Sequence, residues 1–177
     1  MIIIILISLL YNNINSIEGL YIKKKIPYVI YKTGPFNKVP EKISKIFENN
    51  TKQLNSIVKY YNDDECRSFI KTNFSKLILN SYDILIPTAY KADLWRYCIL
   101  YINGGIYGDF SQIILDKIDI NQYNVDMLLT KDRDCCDSTT NIQISFMATR
   151  PKNPFYKYLI DSVCNDILNY KKGVCSL

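Results

Sequence analysis

Apolar positions recur along this chain with two periods. Ile26 to Tyr31 (IPYVIY), Ser56 to Tyr61, Val125 to Thr130 and Ile142 to Ala148 are short runs rich in β-branched and aromatic residues, and each reads as a strand. Between them the apolar residues stand three and four apart, as one face of a helix requires. Pro40 opens a helix to about Asn50, with Ile43, Ile46 and Phe47 on its inner face. Asn62 or Asp63 can cap a helix carrying Cys66, Phe69 and Ile70, Leu77 to Leu85 reads as a further helical piece, and a last helix runs from Pro154 to about Tyr170 with Gly173 beyond it. The segment from Ala89 to Asn103 has no Pro or Gly; Ala92, Trp95, Ile99 and Ile102 share one face, and Leu94, Cys98 and Tyr101 make much of the rest apolar. A helix apolar nearly all round belongs in a core. Asp93 and Arg96, three apart on it, are therefore either a partly buried ion pair or functional groups.

Gly104-Gly105 stops that helix, since glycine tolerates the left-handed backbone that closes a last turn. Ile106-Tyr107 then restarts the chain as a short strand and delivers Asp109 to its far end, ahead of a second β-like run, Ile113 to Leu115. Strands alternating with helices predict an α/β domain with a largely parallel sheet. Such sheets bind ligands beyond the carboxyl ends of their strands, where Asp109 is expected. With 177 residues, no internal repeat and no low-complexity linker, residues 21–177 read as a single domain. Residues 1–20 stand apart. Met1 to Leu10 (MIIIILISLL) is shorter than the roughly 20 residues a spanning helix needs, yet suits the apolar part of a signal peptide or a poor signal-anchor; a buried strand is the alternative. As a signal it would send the chain to the secretory pathway or a membrane, where the sequons at Asn49 and Asn73 would matter; otherwise the chain is cytoplasmic.

A net charge of +5, with Lys23-Lys24-Lys25 as the basic run, is too small an excess to make nucleic acid a partner. The chain has no histidine, so catalysis must use carboxylates, hydroxyls, Lys, Arg, Tyr or Cys. The six cysteines include no C-x-x-C pair, which argues against zinc and against a redox protein. Mostly free thiols are expected, with one or two bridges as the reading for a lumenal form. GGIYGD closes a helix and opens a strand, the reverse of a dinucleotide fingerprint. Lone Ser and Cys residues have no base beside them, which disfavours a hydrolase triad.

The segments IPYVIYKT, DDECRSFI, AYKADLWRYCILYINGGIYGDF and ISFMATRPKNPF, in that order, resemble the glycosyltransferase family whose sugar-binding region carries an Asp-x-Asp motif. That family includes the fungal α-1,6-mannosyltransferases and is similar to the glucosylating domains of large clostridial toxins. The resemblance implies a Rossmann-like nucleotide-sugar-binding fold of the GT-A type, a mainly parallel sheet flanked by helices. It implies that Asp93 and Arg96 hold the donor's sugar hydroxyls, that Gly104, Gly105 and Tyr107 belong to the same substrate-binding block, and that Tyr31 and Thr33 are placed like base-contacting residues. Asp109 matches the first acid of the motif. Where the second acid should stand this chain has Ser111, so the implied ligands of a divalent cation, Mn or Mg, are Asp109 and Ser111. The implied partners are a nucleotide-sugar donor and a glycan, protein or lipid acceptor; membrane association would come through the N-terminal segment if it acts as a signal. The reaction would retain anomeric configuration, the departing phosphate serving as base. Ser111 leaves a second reading open, that of a non-catalytic sugar- or nucleotide-binding or interaction module.

Overall fold

The computed structural model describes residues 25–132 and 141–171. The expectations for Met1 to Leu10, Cys135, Cys136, Gly173 and Cys175 lie outside these residues. In chain order the elements are β1 (Val29–Thr33), α1 (Glu41–Leu54), β2 (Ile57–Tyr61), α2 (Asp63–Asn73), α3 (Lys76–Ile84), α4 (Thr88–Asn103), β3 (Gly105–Gly108), β4 (Met127–Lys131), β5 (Ile142–Thr149) and α5 (Pro154–Lys171), with a 3-10 turn at Ile120–Tyr123. The strands form one sheet in the order β2-β1-β3-β5-β4. β1 is parallel to β2 and β3, while β5 is antiparallel to both β3 and β4. Every strand except β5 therefore runs the same way, and the carboxyl ends of β1, β2 and β3 lie side by side.

The period of two along these strands divides the core. Tyr31 and Tyr107 face a layer built from α2, α3, α4 and α5, in which Leu94, Trp95, Ile99 and Leu100 are fully buried. Ile30 and Ile106 face the other side, where Leu54 of α1 meets Ile114, Ile120, Leu128 and Phe146. α4 packs on the sheet as its all-round apolar surface requires. Asn62 is the cap of α2: its side chain accepts from the Glu65 amide at 2.9 Å and its own amide donates to Glu65 Oε2 at 2.8 Å.

Two expectations are corrected. Ile113 to Leu115, read as β-like, is not a strand. Its backbone is met by side chains of α1: Asn50 Oδ1 accepts from Ile114 N at 2.9 Å, Asn49 Nδ2 donates to Ile114 O at 2.8 Å and Gln53 Nε2 to Leu115 O at 3.1 Å. With those groups satisfied, the segment has no need of a neighbouring strand. The first strand also begins later than Ile26. Both backbone groups of Ile26 bond instead to the Asn121 side-chain amide, at 3.1 and 3.0 Å.

Candidate active site

α4 carries Asp93 and Arg96, and β3 carries Tyr107 and leads into Asp109. The Arg96 side chain, only 6% exposed, ties these together. Its Nη2 lies 2.6 Å from Asp93 Oδ1 and its Nη1 3.6 Å from Asp109 Oδ1. Nη1 also donates to Ile144 O at 2.7 Å and Nε to Ala92 O at 3.3 Å, while the guanidinium carbon stands 4.5 Å from the centre of the Tyr107 ring. Tyr107 in turn donates its hydroxyl to Asp109 Oδ1 at 2.9 Å. A buried guanidinium with ion-pair, carbonyl and aromatic partners is well compensated for its lost water. Burial raises the Asp93 carboxyl above its usual range; Arg96 opposes this and Asp109 adds to it. Burial likewise raises the Tyr107 phenol, so it remains a hydrogen-bond donor at ordinary pH.

Beyond β3 the chain turns at once. Asp109 N donates to Ser145 O at 2.9 Å and Gln112 N to Asp109 O at 3.0 Å, so Phe110 and Ser111 occupy the corner of a turn, with Ser111 exposed. Beneath it lies Lys32, with no exposed surface, whose Nζ donates to Asp109 O at 2.7 Å and to Gln112 O at 3.3 Å. Burial lowers the Lys32 ammonium to about 8, against the field of Asp109. Asp109 Oδ1 is taken by Tyr107 and approached by Arg96, while the side chain as a whole is 46% exposed. Among the described residues no group of three or more acidic, cysteine or histidine side chains could hold a metal ion. The donor set on this turn is thus one carboxylate and one hydroxyl. Such hard oxygen ligands fit Mg or Mn when a diphosphate supplies much of the remaining coordination.

Beside this cluster, at the carboxyl end of β1, is a cavity of about 130 Å³ lined by Thr33, Asp63, Cys66, Lys91 and Trp95 among others. Thr33 Oγ1 lies 3.0 Å from Cys66 Sγ, and burial pushes that thiol up to about 12, which makes it a poor nucleophile. The indole Nε1 of Trp95 is buried without a partner, an unmet donor in a residue that lines the cavity.

The expected site residues divide accordingly. Asp93, Arg96, Tyr107 and Asp109 are brought into direct contact, and Thr33 and Ser111 lie at the same end of the sheet. Tyr31 is mid-strand and 4% exposed, packed against Tyr61. Gly104 and Gly105 stand at the opposite end of β3 from Asp109 and are not brought to the cluster. A Cβ on Gly104 would come within 2.5 Å of Pro151 N, and one on Gly105 within 2.8 Å of Val29 O, so close packing accounts for both. Sequence reasoning passed over Lys32, although it shares the inward parity of Ile30. It also passed over Phe110, which stacks on Phe36 at 5.7 Å and meets Phe47 and Tyr60 at 6.0 and 5.8 Å, and which fits under Gly34 because that residue has no side chain.

A mainly parallel sheet with one reversed strand beside β3, flanked by helices, makes this an α/β domain, and its likeness to a solved structure places the fold in the GT-A-like class. The family described as glycosyltransferase sugar-binding region containing DXD motif matches residues 36–133, and the chain belongs to it. It is 28% identical over 142 residues to the uncharacterized glycosyltransferase L373 of Acanthamoeba polyphaga mimivirus, covering 78% of this chain and 55% of that protein. It is 32% identical over 71 residues to the initiation-specific alpha-1,6-mannosyltransferase of Candida albicans, covering 39% of this chain and 18% of that one. The solved PaToxG glycosyltransferase shares the fold, with a TM-score of 0.55 at 17% identity over 84% of this chain and 62% of its own. The chain thus spans about half the length of its viral relative and a smaller part of the yeast enzyme.

Proposed function

We propose that this domain binds a nucleotide-sugar and transfers its sugar to a hydroxyl acceptor on a glycan, protein or lipid, with retention of anomeric configuration. The observation that carries the reading is Arg96, a buried guanidinium joined to Asp93 and Asp109 where the strands end and a cavity opens. In this reading the cavity beside Thr33 takes the base end of the donor, and Asp93, with one face still open to solvent, accepts from sugar hydroxyls. Arg96 keeps both carboxylates in place, and Tyr107 fixes the rotamer of Asp109 through its hydroxyl. A divalent cation at Asp109 and Ser111 would supply positive charge to the diphosphate as it leaves. Residues 21–177 act as one unit in this proposal. The N-terminal segment would carry any secretory routing or membrane attachment; among the described residues no helix is long and apolar enough to cross a membrane.

A second reading, a module that binds a nucleotide-sugar without transferring it, draws on one feature, the exposed hydroxyl of Ser111 in place of a carboxylate. Hydrolysis of UDP- and GDP-sugars with and without Mn, by the natural chain and by Ser111→Asp, separates the two. The enzyme reading expects release of sugar by the natural chain, and faster release with tighter Mn binding by the variant, since hard cations bind more tightly as ligand charge rises. Donor binding without release by either protein favours the module.

A further inference from the structure

Lys32 occupies an interior position of β1 with no exposed surface, its Nζ 2.7 Å from Asp109 O and 3.3 Å from Gln112 O. An ammonium taken out of water is unfavourable unless its surroundings compensate, and lysines are almost never fully buried without a partner charge. Lys32 is in no salt bridge among the described residues, and the one opposing charge whose field acts on it is the part-exposed Asp109 carboxylate. Its near neighbours from α1 are Phe47, whose ring centre lies 5.5 Å from Nζ, and Asn50, which shares the Gln112 carbonyl with it. Nor does the backbone require it. Asp109 O already accepts from Gln112 N at 3.0 Å, and Gln112 O already accepts from Asn50 Nδ2 at 2.8 Å. The fold would satisfy both carbonyls without a cation there. What the cation adds is a second hold on each end of the turn that carries Asp109 and Ser111, and a fixed positive charge under it.

We propose that Lys32 is a positioning residue for donor binding, which acts through the carbonyls of Asp109 and Gln112 to set the Asp109–Gln112 turn and to place positive charge beneath the diphosphate end of the donor. The inference rests on the donor-site reading above and names the residue that keeps this turn in place when it carries a single carboxylate.

Lys32→Met keeps the length and most of the volume of the side chain while removing its charge and donors. Lys32→Gln, which keeps a donor but no charge, is the second variant should the first not fold. Calorimetric titration of the full chain in Mn with UDP and GDP, and separately with uridine and guanosine, reads the effect. Affinity for the diphosphate that the natural chain binds should fall about tenfold, a loss of the size expected for a hydrogen bond to a charged group, while nucleoside affinity changes less than about twofold. A merely structural role would move both or neither. Amide exchange gives a reading that needs no ligand: Gln112 N–H should exchange about tenfold faster in the variant, as expected for a local opening, with Ile106 N–H unchanged. Unchanged diphosphate affinity, or unchanged exchange at Gln112, overturns the proposal. If the natural chain binds neither diphosphate, the donor reading fails by itself and the exchange comparison still decides whether Lys32 holds the turn.

Discussion

Arg96 shows how a single residue sets the character of the cluster. The spacing of Asp93 and Arg96 made their pairing legible in the sequence, because residues three apart on a helix are neighbours. The contacts of Arg96 with Tyr107, Ile144 and Asp109 were not legible, since they depend on how β3 and β5 lie against α4. Lys32 was readable only as a polar residue at an inward position, and nothing local says which carbonyls it meets. Replacing Arg96 by Met leaves Asp93 and Asp109 without their shared cation; because both carboxylates stay part exposed, the cost should fall below that of breaking a fully buried pair, nearer the roughly 1.5 to 3 kcal/mol of hydrogen bonds to a charged group. Arg96→Met should lose stability on that scale in urea unfolding, with Arg96→Lys intermediate because an ammonium cannot reproduce the planar fork. Asp93→Asn should cost less. Arg96 keeps its carbonyl and ring partners in that variant, and burial already works against the charged form of Asp93. The sign follows from linkage: with its folded pKa raised, Asp93 binds its proton more tightly folded than unfolded, so its contribution falls as pH rises from 3.8 through the raised value. A stability loss from Asp93→Asn at neutral pH as large as that from Arg96→Met would contradict this ordering.

At the scale of elements, hydrophobic period located nearly every helix and strand, and the misses have local causes. Ile113 to Leu115 has the composition of a strand, but three amide side chains of α1 reach its backbone, and no pattern within the segment could show that. The helix stop at Gly104-Gly105 was legible in kind, though not in its severity. Gly104 has φ 63° and ψ −160°, a region essentially reserved for glycine, and Gly105 has φ 96°. A side chain on Gly104 would also meet backbone atoms of Arg150 and Pro151, which no rotamer change can move aside. Gly104→Ala should therefore cost more than the roughly 1 to 3 kcal/mol of backbone strain alone. Gly108→Ala is the control: its φ lies outside the left-handed region and the nearest atom to a new Cβ is the Gln112 side-chain oxygen at 3.4 Å. Thermal unfolding of the two variants tests the argument, and a Gly104→Ala protein as stable as Gly108→Ala would refute it.

Over the whole molecule, alternation of strand and helix patterns foretold an α/β layer structure, because only helices on both faces can cover a sheet of such apolar strands. The reversal of β5 was not foretold, since the direction of a strand depends on a connection and not on its composition. The apolar layer over α4 has a consequence for behaviour in alkali. It buries the thiols of Cys66, Cys98 and Cys164 and the phenols of Tyr31, Tyr82, Tyr97, Tyr107 and Tyr156, and in each case burial is the largest influence and raises the pKa. In the unfolded chain thiols and phenols titrate from ordinary values of 9.0 and 10.0, whereas the folded chain still holds their protons there. The folded state then binds more protons, so stability must fall as pH rises above 9.0. Lys32 works the other way: lowered from 10.5 to about 8, it binds its proton more tightly when unfolded, and its contribution rises across that interval. One amine against three thiols and five phenols cannot reverse the trend. The melting temperature should hold nearly level, or rise slightly, around pH 8, then decline steeply, with the tyrosinate absorbance of these five buried phenols appearing together with unfolding and not before it. Tyrosinate absorbance in the still folded protein that falls when Tyr82, Tyr97 or Tyr156 is replaced by Phe, or a melting temperature climbing through pH 10.5, would mean that this aromatic layer is open to water.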